Sequence, residues 1–194
     1  MKKRIFWTIC AAVMFLCIGC GNEGTAKIMH YGVEAKTVHF EQLEEMEEHS
    51  ELIIKGERLD DEEALITTVN GKMVSGFTFS KVKITEIYGD KTGEYKVGDE
   101  ITVLENEVYD EANNTVYHIG GYNMMVAGDE YLLFLHYAQT DEMEYFVSSG
   151  VNCGTISLET DERQRVYTTE GGDSVVDYSN FQKLWDEALE KYIN

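Results

Sequence analysis

Apolar and polar residues alternate along much of the chain, and the departures from alternation carry as much information as the rule. Residues 131–135, Tyr131-Leu132-Leu133-Phe134-Leu135, are apolar at both parities, which predicts a strand covered on both faces and central to the core. Residues 77–88 alternate with a slip in phase: Phe77 and Phe79 mark one half, Val82 and Ile84 the other. A β-bulge near Ser80-Lys81 reconciles the halves, and bulges bend a long strand around a small barrel. Shorter β-rich runs follow at 51–56, 100–104, 116–119, 145–148, 155–158 and 166–169. Turn signals separate them: the acidic stretch 60–63, Asn70-Gly71, the loop 89–99, residues 110–114, Gly120-Gly121 and Gly128-Asp129. Asn70-Gly71 is the strongest hairpin signal, because both residues tolerate positive φ.

Two stretches take the helical period instead. In 37–50, Phe40, Leu43 and Met46 recur every third residue with Glu41, Glu44, Glu45, Glu47 and Glu48 around them, a short helix with one narrow apolar stripe. Glutamates crowded toward its C-terminal half oppose the helix dipole, so it needs docking to persist. At the other end Phe181, Leu184, Trp185, Ala188, Leu189 and Tyr192 form one broad face, and Ser179 with Gln182 suits a capping box. Residues 20–36 read as a tether; alternatively Ile28, Met29, Tyr31 and Val33 let its second half pack as an extra strand. Many short strands, one long bulged strand and two helices predict a mainly β domain over 37–194: a small β-barrel with flanking helices.

The first twenty residues obey a different pattern. Lys2, Lys3 and Arg4 precede an apolar run over 5–18. That is the order of a secretory signal, too short for a membrane-spanning helix of about 20 residues. Its end, Cys17-Ile18-Gly19-Cys20, resembles a bacterial lipoprotein lipobox, with cysteine 17 standing where leucine is usual. The resemblance implies a signal peptide over 1–19, a lipid on Cys20, and a domain held on the extracytoplasmic face of the cell membrane.

Charge and cysteine content narrow the classes. The chain carries a formal charge of −20, and loses three cations with the leader. Such acidity argues against nucleic acid, whose binding needs a basic surface. It equally disfavours docking on anionic headgroups, so membrane attachment must come from the acyl anchor. Of Cys10, Cys17, Cys20 and Cys153, only Cys153 remains in the domain with its thiol, so no internal disulfide is expected. With no proline in the chain, turns fall to glycine, Asn and Asp.

Four segments in series carry a further likeness: Ser50-Glu51-Leu52-Ile53-Ile54-Lys55-Gly56 after the short helix, residues 81–89 (KVKITEIYG), residues 96–103 (KVGDEITV) and residues 127–135 (AGDEYLLFL). Their order and spacing resemble the OB-fold module of tissue inhibitors of metalloproteinases and netrins, in particular its bacterial secreted relatives, over about 37–158. The resemblance implies a five-stranded OB-like barrel. The animal inhibitors chelate the protease zinc through a free N-terminal cysteine; here that terminus is Cys20, whose sulfur would carry lipid. The disulfides that shape their binding ridge are also absent, so the mechanism does not carry over.

Candidate chemistry is sparse. The histidines His30, His39, His49, His118 and His136 contain neither HxxxH nor HExxH, and zinc needs three or four ligands at set spacing. His39 and His49 lie roughly 15 Å apart along a helix. No metal or cofactor is expected. Cys153 could serve as a nucleophile with His118 or His136 and an orienting Asn152, against the commoner role of a small buried thiol. The acidic runs Asp60-Asp61-Glu62-Glu63 and Glu44, Glu45, Glu47, Glu48 could bind calcium or supply a glycosidase pair, but lack a D-x-D-x-D-G loop and suit solvated faces. Among 12 tyrosines, Tyr88, Tyr95, Tyr109, Tyr117 and Tyr122 could form an aromatic binding patch. The pattern as a whole implies a lipid-anchored, non-enzymatic binding protein with an envelope or extracellular protein as partner. The alternatives are an envelope hydrolase using Cys153 or a carboxylate pair, and a protease inhibitor acting through a loop.

Overall fold

A computed structural model describes residues 27–141, 143–159, 166–167, 174–175 and 181–194. The leader, Cys20 and Ser179 lie outside the described residues. In chain order the elements are β1 (Met29–Val33), α1 (Leu43–His49), β2 (Leu52–Val69), β3 (Lys72–Asp90), β4 (Glu100–Glu105), β5 (Glu107–Asp110), a 3₁₀ turn (Glu111–Asn113), β6 (Thr115–Ile119), β7 (Glu130–Gln139), β8 (Glu144–Ser148), β9 (Thr155–Ser157), β10 (Val166–Tyr167), β11 (Ser174–Val175) and α2 (Gln182–Tyr192). The molecule is mainly β, with a short helix near its start and an amphipathic one at its end.

Five strands pair in a ring, β2–β3–β4–β8–β7 and back to β2. Every pair is antiparallel except β4 with β8. Alternation decides what each face of the ring meets. Leu52 and Ile54, Val82 and Ile84, Ile101 and Val103, Leu133 and Leu135, and Phe146 fill its inside. The opposite parity of β2 and β7 (Ile53, Leu132, Phe134) packs outward with Ile156 under Leu43 and Met46 of α1 and Leu184, Trp185 and Ala188 of α2. The run 131–135 therefore has both faces covered: it is the wall between two cores.

The hairpin at Asn70-Gly71 forms as expected, with φ of 53° and 73°. Its arms are far longer than the sequence suggests. The acidic stretch 60–63 is no turn but lies within β2. The ladder does slip beside Lys81, yet the extra residues belong to β2: Arg58 faces Val82 and Glu62 faces Ser80, so 59–61 bulge against Lys81 alone. Past the bulge the two strands run on as a ribbon whose β2 half is solvent-exposed apart from the half-buried Ile66. Charged side chains cost nothing there, which is why the acidic run tolerates a strand.

A second, three-stranded sheet runs β1–β6–β5, with β1 parallel to β6. The second half of the 20–36 stretch thus contributes a strand. This sheet meets the hairpin ribbon at its base, where a Cβ on Gly76 would fall 2.6 Å from Val108 Cγ1; only glycine permits that approach. The first helix spans Leu43–His49 rather than 37–50, because the backbone at Gln42 is extended (φ −134°, ψ 149°); Phe40 still packs against the outer core.

Candidate functional site

The outward parity of β3, β4 and β8 carries a semi-exposed apolar face. Phe79 stands opposite Leu104, and Leu104 opposite Val147, across three adjacent strands. Rings extend the row: Phe77 meets Phe79 edge-on with centroids 5.2 Å apart, and Phe79 meets Tyr145 in the same way at 5.1 Å. Phe77, Leu104, Tyr145 and Val147 are half-buried. Leu65, the ladder partner of Phe77, is 41% exposed. Past Tyr145 a groove of about 190 Å³ is lined by Tyr95, Tyr137 and Phe146, with Glu100 and Glu144 at its rim. Tyr95 and Tyr137 meet the Phe146 ring edge-on at 5.5 and 5.9 Å. Alternation holds Phe77, Phe79 and Tyr145 on the outward face, and such faces are read by partners of matching shape.

The tyrosines singled out from the sequence do not share a patch. Tyr88 packs against Tyr192 of α2, with centroids 5.1 Å apart. Tyr95 caps one end of the ring. Tyr109 and Tyr117 lie on opposite faces of the second sheet, because Tyr109 pairs with Val116. Tyr122 is buried, and its OH donates to Glu105 at 3.1 Å.

That last contact belongs to a buried polar cluster inside the ring. Arg58, Ser80 and Glu105 sit at inward positions of β2, β3 and β4. Ser80 Oγ donates to Glu105, the Met125 N–H donates to it at 2.6 Å, and Arg58 Nε stands 3.9 Å away. Arg58 also pairs with Glu62. Burial pushes the Glu105 carboxyl up to about 7, against the pull of Ser80, the Met125 N–H, Arg58 and Tyr122. The sequence did hold a signal for it: Ile101, Val103 and Glu105 share one parity, so a carboxylate follows two inward apolar residues. The cluster closes one end of the core and holds the 122–125 segment to it.

Each histidine has a structural engagement or stands exposed. His118 Nδ1 faces two acceptors at 2.9 Å, Glu107 Oε2 and the Tyr122 carbonyl, so that nitrogen bears the proton. Its Nε2 then accepts from His30 Nδ1 at 3.0 Å, tying β1 to β6. Burial, then His118, lowers the pKa of His30. His136 Nδ1 pairs with Glu51 at 2.8 Å, and His49 with the Ser149 hydroxyl at 3.3 Å. His39 is exposed on the approach to α1.

The nucleophile constellation around Cys153 is not assembled. Cys153 is buried in the outer core beside Trp185, whose indole N–H donates to its carbonyl at 3.1 Å. Burial pushes the thiol up to about 11, which removes the thiolate that nucleophilic attack requires. Asn152, the expected orienting amide, donates to the Gly120 carbonyl at 2.8 Å.

In the acidic runs Glu62 pairs with Arg58, while Asp60, Asp61, Glu63, Glu44 and Glu48 stand exposed. Glu47 accepts from Lys191 at 2.6 Å and from the Tyr192 hydroxyl at 2.8 Å, joining α1 to α2. Among the described residues no group of three or more His, Cys, Asp or Glu side chains could hold a metal ion. Among them too, no helix is long and apolar enough to cross a membrane. No family model and no curated protein sequence matches the chain.

Proposed function

We propose that this chain is a lipid-anchored, non-enzymatic binding protein of the extracytoplasmic face. Its protein partner docks on the outer face of β3, β4 and β8. One observation carries the reading: Phe77 and Tyr145 are half-open to solvent on either side of the buried Phe79, on a sheet face away from the outer core that α1 and α2 cover. The ring order supports an OB-like barrel, since its one parallel pair joins the third ring strand, β4, to the last, β8. OB-type barrels use the face of their second and third strands for ligands, and here those are β3 and β4. The basic-then-apolar leader ending in Gly19-Cys20 supports export and acylation at Cys20.

The test is site-specific photo-crosslinking in intact cells, with benzoylphenylalanine in place of Phe77 or Tyr145. A discrete adduct at both positions, absent when the probe replaces His39 beside α1, is the expected result. No adduct at either position, or the same products from His39, overturns the assignment.

A further inference from the structure

We infer that a second groove, on the other side of the hairpin ribbon, is a binding site for a neutral saccharide. It lies between the hairpin tip and the second sheet, has a volume of about 330 Å³, and is lined by Gly71, Lys72, Met73, Asn113, Tyr31 and Tyr117. That volume sits at the lower end of the roughly 300–1,000 Å³ of small-molecule sites, which suits one or two sugar rings.

The walls are fixed by features already described. Tyr31 and Tyr117 are register partners on β1 and β6, so their rings stand side by side with centroids 6.2 Å apart and planes inclined by 55°. The ribbon tip is carried over them by the close packing of Gly76 on Val108 and by Thr78 Oγ1, which donates to the Glu107 carbonyl at 2.7 Å. Met73 shares the Gly76 side, with its sulfur 3.1 Å from where a Cβ there would lie, and supplies an apolar flank.

The chemistry of the lining selects the ligand. Among the described residues neither the Tyr31 nor the Tyr117 hydroxyl has a hydrogen-bond partner, and Lys72 makes no ion pair. Three unspent donors thus surround an apolar, ring-lined surface on which Tyr31 remains 57% exposed. Two inclined rings do not sandwich a flat arene; they offer a bent wall that follows the C–H face of a puckered pyranose, while the donors meet its hydroxyl or acetamido oxygens. The field of a chain with formal charge −20 weighs against a polyanionic glycan, so the neutral class is the one that fits. This site does not depend on the aromatic face of β3, β4 and β8.

Saturation-transfer NMR on the detergent-purified full-length protein tests it, with N,N′-diacetylchitobiose as the neutral probe and trigalacturonate as the charged one. Saturable transfer confined to the chitobiose ring C–H protons is expected. Tyr31→Ala, an exposed position, should weaken binding about tenfold or more, and Lys72→Gln several-fold, with an unchanged melting temperature. Phe77→Ala should leave the titration as it is. No saturable transfer from chitobiose, stronger binding of trigalacturonate, or indifference to Tyr31→Ala each overturns the inference.

Discussion

Glu105 is the residue whose burial has a measurable thermodynamic consequence. Its carboxyl titrates near 7 in the folded chain against an ordinary 4.5. Between those values the folded state keeps a proton that the unfolded state has released. Stability from this group is therefore fully present below about 4.5, is lost as pH rises toward 7, and is level above it. The full shift corresponds to roughly 3 kcal/mol as an upper bound. Glu105→Gln, which keeps the size and the acceptor of the side chain, should flatten that window. Urea denaturation at intervals from pH 4.5 to 7.5 measures the difference between the two proteins; parallel profiles would refute the argument. Cys153 yields a kinetic counterpart at the same scale. Buried, and with its thiol near 11, it should react with iodoacetamide at neutral pH far more slowly in the folded protein than in urea. Equal rates would reopen the nucleophile reading.

Among the elements, α2 has the clearest role, since it closes the outer core through Leu184, Trp185 and Ala188. Trp185→Ala removes the largest of these and the bond to the Cys153 carbonyl, and should cost about 3–5 kcal/mol in chemical denaturation. A loss below about 1 kcal/mol would mean that the helix is not docked as described. The elements legible from the sequence were those where burial imposes a period. The apolar run 131–135, the C-terminal stripe and the Asn70-Gly71 turn all formed where expected, because each answers to packing or φ alone. The hairpin ribbon is hidden for the opposite reason: at 60–63 the side chains are exposed, so four acidic residues in a row mimic a turn while Asp60 and Asp61 lie in the bulge and Glu62 and Glu63 resume the ladder. β5 does not read as a strand because its inward positions hold Val108 and Asp110, and a buried Asp breaks the apolar alternation. The aromatic face was half legible. Phe77 and Phe79 stood out as a pair, but their union with Leu104, Tyr145 and Val147 depends on which strands become neighbours, and local pattern does not encode that.

For the whole molecule, the proposed location raises the question of what would hold it to a membrane. A chain with formal charge −20 gains nothing from anionic lipid, and juxtamembrane attraction of this kind works only through basic residues. On the proposed reading attachment rests on hydrocarbon, and one acyl chain gives only marginal, reversible binding, so stable anchoring needs more than one. On the proposed processing at Cys20, residues 21–28 alone separate the lipid from β1, which begins at Met29. Eight residues reach at most about 28 Å, so the domain works within one small protein diameter of the bilayer, and its partner must be present in that shell. Cys20→Ser protein from which the leader has been cleaved should therefore be released completely from the membrane fraction. The wild type should stay bound at both low and high salt, since no electrostatic component is available to screen. Mass spectrometry of the N-terminal peptide should find acyl chains on the wild type and none on the variant. Retention of Cys20→Ser protein whose leader has been cleaved, or release of the wild type by salt, would show that some surface of the domain binds lipid directly, and the acyl anchor would lose its necessity.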